Sequence, residues 1–377
     1  MRVLMISKAC IAGAYQRKLE ALAAEGLDLT VVVPPYWRDD AGRRAPLERA
    51  YTHGYRLVVE AMAFNGHFHY HVYPRLARQF RDVRPDVVHV DEEPYNLATF
   101  QAFWLTRRYG ARPLFFTWQN LLRAYPPPFR WIERYCYRHA AGAIAGNVEA
   151  AEVLHHKGYS GRTWIIPQFG VDPQIFRRRA PGGPASPAGD RRPFTVGWCS
   201  GRLKPEKGVH LLVEAVAALG DGGRLEVLGW GPEAPRLRAL AAARGLGDRF
   251  QIRPALPSHH VPEFLSGVDV VALPSLTTRH WKEQFGRVVM EAMACELPVV
   301  GSDSGEIPHL IGDAGLVFPE GDVAALTECL RRLLDDTDLR RQFAVRGLAR
   351  VRERYTQARI AAQTAAAYRE ILGQIGV

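Results

Sequence analysis

Two carboxylates, Glu283 and Glu291, bracket a Phe285-Gly286 pair and an apolar run in WKEQFGRVVMEAMACELPVV, residues 281–300. A helix starting near Gly286 advances 100° per residue, which turns Val288, Val289, Ala292 and Met293 inward and leaves Glu291 off that stripe. Glu283 precedes the helix, beside unpaired backbone N–H groups and the positive end of the dipole, a terminus suited to phosphate. An ordinary buried helix with a polar lead-in has the same look, so this pair needs a second stretch beside it. GWCSGRLKPEKGVHLLVEAVAAL, residues 197–219, supplies one. There a strand ending near Cys199 runs through a loop carrying Arg202, Lys204 and Lys207 into a helix with Leu211, Leu212, Ala215 and Val216 inward. Gly201 and Gly208 permit close backbone approach, while Arg202 grips phosphate oxygens as a fork and Lys207 as a point charge. Strand, glycine loop, cations and helix make a phosphate site; a solvated basic loop is the plainer alternative.

The elements that position these groups read as alternating strands and helices. Val3–Ser7 is a strand, the loop Lys8–Ala14 holds Gly13 at a strand-to-helix turn, and a helix over Tyr15–Glu25 with a strand over Asp28–Val33 completes a βαβ unit. GxGxxG is absent, which argues against a dinucleotide oxidoreductase. Pro85–Val90 is a buried strand followed by Asp91, Glu92 and Glu93, at the end of an α/β sheet that lines the ligand crevice. Pro113–Thr117 is the next strand and leads into Trp118, Gln119 and Asn120, groups suited to stacking on a sugar and binding its hydroxyls, or to capping the next helix. RRRAPGGPASPAGDRR, residues 177–192, has a linker composition. Beyond it, strands over Leu225–Leu228, Phe250–Arg253, Val268–Leu273 and Pro298–Gly301 alternate with helices, and a last helix spans Gln357–Ile375.

GRLKPEKG followed by LEVLGWGPE, EQFGRVVMEAMACELPVV and GLVFPEGD resembles the retaining family-4 glycosyltransferases (glycosyl transferases group 1), most strongly over residues 195–330. The resemblance implies an α/β chain with the GT-B fold, two Rossmann-like doubly wound domains facing across a cleft. It divides the chain into an acceptor domain at 1–176, a linker-like loop at 177–192, a nucleotide-sugar domain at 193–354, and a C-terminal helix at 355–377 crossing back to the first domain. By the same resemblance Arg202 and Lys207 neutralise the donor diphosphate, and Glu291 holds the ribose hydroxyls. Glu283, with the backbone of Gln284, Phe285 and Gly286, binds sugar hydroxyls and phosphate, and Gly201 belongs to the same loop. Arg253 and Pro254 fall where the base is read, mostly through the backbone. On the acceptor side the resemblance points to Gly13, to Asp91 or Glu92, and to Gln119 and Asn120. Three departures from the family pattern stand out: HVDEEPYN puts acids where a histidine is usual, Glu296 replaces a glycine, and Glu306 and His309 stand in GSDSGEIPHLI where glycine and glutamate are commoner.

The implied reaction moves a sugar from a nucleotide-diphosphate sugar to an acceptor hydroxyl with retention, in cell-surface polysaccharide, glycolipid or glycoconjugate synthesis. Attack is on the same face, the leaving phosphate takes the acceptor proton, and neither an enzymic nucleophile nor a cofactor nor a metal is required. A nucleotide-sugar epimerase of the same fold and a non-catalytic sugar-nucleotide-binding subunit remain as rival readings.

Composition bounds these expectations. The 377 residues suffice for two domains, and 47% hydrophobic with 23% charged residues is a globular composition. No apolar run approaches the roughly 20 residues of a membrane span. Five scattered cysteines without CxxC spacing argue for reduced thiols in a cytoplasmic protein and against structural zinc. Of the net charge of +10, residues 1–180 hold +9, from 25 Lys+Arg against 16 Asp+Glu. That asymmetry fits an anionic partner, such as an acidic acceptor or the inner face of a membrane touched peripherally, and equally a plain basic face. No nucleic-acid motif accompanies it. His67, His69 and His71 alternate and share a face if their segment is a strand, with no acidic partner beside them. Arg75, Arg78, Arg81 and Arg84 recur at three-residue spacing, which on a helix gathers them loosely on one side.

Overall fold

The structure is a computed structural model and describes residues 1–39, 42–178 and 193–373. Most of the 177–192 linker-like stretch, from 179 onward, lies outside the described residues, as do residues 374–377. The chain divides into two units, Met1–Gly170 with the segment from Gln357, and Val171–Thr356.

In the first unit the chain passes through β1 (Arg2–Ile6), α1 (Gly13–Ala24), β2 (Asp28–Val33), β3 (Tyr36–Arg38), β4 (Arg44–Pro46), β5 (Arg56–Val59), α2 (Leu76–Val83) and β6 (Val87–Val90). It continues through α3 (Leu97–Tyr109), β7 (Arg112–Thr117), α4 (Phe129–His139), β8 (Gly142–Ala145), α5 (Val148–His156) and β9 (Thr163–Ile165). Among the described residues seven strands form one parallel sheet in the order β5-β2-β1-β6-β7-β8-β9, and β3 and β4 form a separate antiparallel pair. The central strands are buried on both faces, so they read as continuous apolar runs such as VVHV rather than as alternation. Leu4, Ile6, Val88, Val90, Phe103 and Phe115 pack on one face, and Val3, Met5, Val31, Leu114 and Ile144 on the other. The second face is covered by α1 and by the helix from the far end of the chain, Gln357–Ile371, whose Ile360, Ala361, Ala365 and Tyr368 are buried there.

The second unit contains β10 (Phe194–Arg202), α6 (Val209–Ala218), β11 (Gly223–Trp230), α7 (Ala234–Ala243), β12 (Phe250–Arg253), α8 (Val261–Leu265) and β13 (Val270–Leu273). These are followed by α9 (Arg287–Ala294), β14 (Val299–Ser302), α10 (Ile307–Ile311), β15 (Gly315–Phe318), α11 (Val323–Asp335) and α12 (Thr337–Arg354); α13 (Gln357–Ile371) then belongs to the first unit. Its six described strands are all parallel, in the order β12-β11-β10-β13-β14-β15. Trp198, Val213, Leu225, Val227, Ala272 and Leu330 lie in the core.

Both sheets therefore reverse direction at their first strand, between β1 and β6 and between β10 and β13. In an open α/β sheet the crevice outside the carboxyl ends of the strands at such a reversal is where ligands sit.

The condition set on the alternating histidines is not met. Residues 61–73 form turns and an isolated bridge pair, Ala63 with Val72, rather than a strand, so His67, His69 and His71 share no strand face. Asn65 and Gly66 lie in the turns that break the extended run. Among the described residues no group of three or more His, Cys, Asp or Glu is arranged to hold a metal ion, and no helix is long and apolar enough to cross a membrane.

Candidate active site

In the second unit β10 ends at Arg202 after a bulge, and a short 3₁₀ turn, Pro205–Lys207, leads to α6. Gly208 closes that turn at φ 66°, and a Cβ there would stand 1.8 Å from the Pro274 carbonyl oxygen. The glycine thus lets the lysine loop lie directly against the end of β13. From this position the Lys207 ammonium donates to Glu283 Oε2 at 2.9 Å, and the Ser275 hydroxyl donates to the same oxygen at 2.8 Å. The Lys207 ammonium also lies 4.3 Å from the centroid of the Trp281 ring. Gly305, at the end of β14, makes the matching close approach: a Cβ there would stand 1.9 Å from the Glu283 carbonyl oxygen. The loops after the three adjacent strands β10, β13 and β14 are in this way locked together around a single carboxylate.

Helix α9 follows with Gly286 as its N-terminal cap residue. Phe285 is buried and meets Tyr355 edge-on, while Gln284 is exposed. Glu291 is also buried, as is almost all of α9, so the helix is covered nearly all round and not only on the stripe read from periodicity. Burial pushes the Glu291 carboxyl above its ordinary range, opposed by Arg287, whose Nε lies 3.0 Å from Glu291 Oε1.

Arg202 and Arg253 each make side-chain contacts within the second unit. Arg202 is exposed, and its guanidinium lies over Trp230, its cross-strand partner, 5.3 Å from the ring centroid. The Arg253 guanidinium is paired with Glu226 at 2.8 Å, and Arg224 also donates to Glu226 at 2.7 Å. Because Glu226 lies on the neighbouring strand β11, the Arg253 side chain is drawn to it.

The carboxyl ends of β1 and β6 in the first unit carry a second polar cluster. Ser7 donates to Asp91 Oδ2 at 2.7 Å. Glu92 is buried between the Lys8 ammonium, with which it pairs closely, His71 Nε2 at 3.5 Å and Asn96 Nδ2 at 3.2 Å. Burial pushes the Glu92 carboxyl up, but Lys8 and His71 outweigh it and hold the group down at about 2. Glu92 is thus a partner of His71, contrary to the expectation that no acid stood beside those histidines, and its charge is spent within the protein. Glu93 differs. Burial pushes it up to about 7, against the opposing hydrogen bonds it accepts from Thr117 Oγ1 at 2.6 Å and the Trp118 amide at 2.8 Å. His89 is buried inside β6, with Nδ1 2.6 Å from the Tyr368 hydroxyl, and burial drives its pKa well down.

Gln119 and Asn120 follow β7 and are buried. Lys157 donates to Gln119 Oε1 at 3.2 Å, and Asn120 donates to Glu149 at 3.3 Å. The Gly13 amide, at the start of α1, already donates to Glu48 Oε2 at 2.6 Å. Ser275, Trp281, Lys8, His71 and Glu48 were not singled out for these roles from sequence. Only Lys8 carried a local signal, as a cation in the first strand-to-helix loop.

Residues 194–350 match the model of glycosyl transferases group 1, and residues 16–175 match that of glycosyltransferase family 4. The chain is 30% identical over 260 residues to an α-D-kanosaminyltransferase of Streptomyces kanamyceticus, covering 66% of this chain and 65% of that protein. It is 29% identical over 302 residues to a 2-deoxystreptamine N-acetyl-D-glucosaminyltransferase of Streptomyces fradiae, covering 73% and 69%. A 2-deoxystreptamine glucosyltransferase of S. kanamyceticus matches at 32% over 54% of each chain. The chain thus spans between about half and two thirds of the length of the curated relatives it matches. Its fold is that of a sucrose-phosphate synthase from Thermosynechococcus elongatus, with TM-score 0.74, 20% identity and full coverage of both chains. It is also that of the Anabaena protein HepE in complex with UDP, with TM-score 0.72, 19% identity and full coverage. With both regions matched and both sheets wound in this way, the chain belongs to the family-4, group 1 glycosyltransferases of GT-B fold.

Proposed function

We propose that this protein transfers a sugar, with retention, from a nucleoside-diphosphate sugar to an acceptor hydroxyl, the donor held by the 193–354 domain and the acceptor by the 1–176 domain. The observation that carries the reading is the Lys207–Glu283–Ser275 cluster at the β10/β13 reversal, a buried carboxylate and a poised ammonium where an anionic ligand is received. The complex of HepE with UDP supports a nucleoside diphosphate as that ligand.

Lys207 and Arg202 take up the charge that develops on the departing diphosphate, a contribution commonly of a few kcal/mol per donor. Glu283, with the main chain of Gln284, Phe285 and Gly286 and the loop at Gly201, binds sugar hydroxyls and phosphate. Glu291 holds the ribose, and the main chain at Arg253 and Pro254 reads the base. With the leaving charge met by side chains, no step requires a metal or cofactor. In the first domain Asp91, with Gln119 and Asn120 after β7, receives the acceptor, whereas Glu92 serves to hold Lys8. One relative is named a 2-deoxystreptamine glucosyltransferase and another is named for colanic acid biosynthesis, which supports a saccharide or other polyol acceptor. A cytoplasmic setting, with the exposed Arg75, Arg78, Arg81 and Arg84 touching an anionic membrane face, completes the proposal.

Screening nucleotide sugars by thermal shift identifies the donor, since a bound ligand raises stability by mass action. Lys207→Ala then lowers transfer by roughly 10²- to 10³-fold with the fold intact; transfer at the parent rate would rule the assignment out. The anomeric configuration of the product reads retention, a chelator reads metal dependence, and co-sedimentation with phosphatidylserine vesicles reads membrane contact.

A further inference from the structure

Lysine suits a phosphate as a point charge, but its four-carbon stem samples many rotamers, so an ammonium awaiting a ligand needs to be held. At Lys207 two groups do so from different directions. Glu283 accepts one N–H at 2.9 Å, and the half-buried indole of Trp281 presents its ring with the centroid 4.3 Å from the nitrogen. The Trp281 main chain is held by a tight turn, in which its amide donates to Thr278 Oγ1 at 3.0 Å and its carbonyl accepts from the Thr278 amide at 2.8 Å. The ring contact lies well inside the ~6 Å range over which an aromatic face attracts a cation, and indole is the strongest such face. An ammonium has three donors, so this arrangement leaves capacity for a ligand oxygen. The Arg202–Trp230 pair repeats the theme more loosely at 5.3 Å, with Trp230 41% exposed.

We propose that Trp281 is a positioning residue for Lys207: together with Glu283 it clasps the ammonium in the free protein, at the place where a diphosphate oxygen is received. The inference rests on the reading of Lys207 as a diphosphate ligand given above. Its effect is on how ready the lysine is, so it is felt only through Lys207.

Calorimetric titration with UDP, GDP and ADP tests it on the parent, Trp281→Leu, Trp281→Phe, Lys207→Ala and the double variant Trp281→Leu/Lys207→Ala, each first checked for parent-like folding by circular dichroism. Loss of the indole face weakens binding of the preferred nucleotide about 2- to 30-fold in Trp281→Leu, the range that follows from a cation–π contact. Trp281→Phe, which keeps a ring, retains most of the affinity. In the Lys207→Ala background the leucine substitution changes nothing further, because the group it acts through is gone. Parent-like affinity in Trp281→Leu, or an equal loss in the presence and absence of Lys207, overturns the proposal, since a purely structural tryptophan gives the latter. If the parent binds none of the three nucleotides, the proposed function itself falls, and this inference with it.

Discussion

Gly208→Ala is the sharpest perturbation of the lysine loop, because its consequence can be worked from two separate terms. The glycine sits at φ 66°, where an L-residue costs roughly 1–2 kcal/mol. A Cβ would also stand 1.8 Å from the Pro274 carbonyl oxygen, and relieving that overlap requires a backbone movement of more than about 1 Å. Overpacking of this kind typically adds 1–3 kcal/mol, giving roughly 2–5 kcal/mol in all. For a unit of this size that corresponds to a fall in Tm of about 4–20 °C. The displaced residue adjoins Lys207, and a misplacement near 1 Å costs on the order of 10²-fold in rate. Gly201→Ala supplies the control: its φ is 76°, yet nothing lies within 4 Å of an added Cβ, so it suffers the backbone term alone, roughly 1–2 kcal/mol. Thermal unfolding followed by circular dichroism, with sugar transfer on the donor found by thermal shift, measures both. If the two alanine variants lose the same stability and the same activity, the close approach to Pro274 does not position the lysine and the reasoning is refuted.

Other outcomes follow from the first unit. Lys8→Ala removes the ammonium and leaves the buried Glu92 carboxylate with His71, Asn96 and the residue-8 main-chain amide, and should destabilise the protein by about 3 kcal/mol at neutral pH. The folded-state pKa of Glu92 is depressed to about 2, so its stabilisation is present above its ordinary 4.5 and is lost as pH falls through about 2. The deficit of the Lys8→Ala variant should therefore shrink below about pH 4.5, and an unfolding midpoint difference that stays constant with pH contradicts the pairing. Glu93 has the opposite sign. With its folded pKa raised to about 7, its contribution is full below 4.5 and disappears as pH rises through 7. Glu93→Gln should remove that part of the decline in Tm between pH 4.5 and 7, and identical slopes for parent and variant would show that Glu93 does not titrate there.

Much of the fold was legible because local rules and tertiary demands agree. Strands Asp28–Val33 and Phe250–Arg253 occupy the residues that the sequence pattern predicts. In the histidine segment alternation alone did not decide between strand and turn, and Asn65 and Gly66 supply the turns. In the candidate site, Lys207 and Glu283 were identified by residue type and neighbouring glycines, and they lie within hydrogen-bond distance across a gap of 76 residues. Ser275 carries no sequence mark of its role. Neither does Trp281, whose ring faces the lysine only because the Thr278 turn folds it back.

Residue types and spacing alone determined that the chain is an alternating α/β protein with cations in one strand-to-helix loop and acids in others. Which charge answers which was decided by strand order. The sheet sets β1 beside β6, so Glu92 meets Lys8 and His71, and β11 beside β12, so Arg253 turns to Glu226. Parallel neighbours in a doubly wound sheet are distant in sequence, and a buried charge takes whichever opposite charge the sheet delivers to it. That pairing is a property of the packed strands and has no counterpart in any local stretch of the chain.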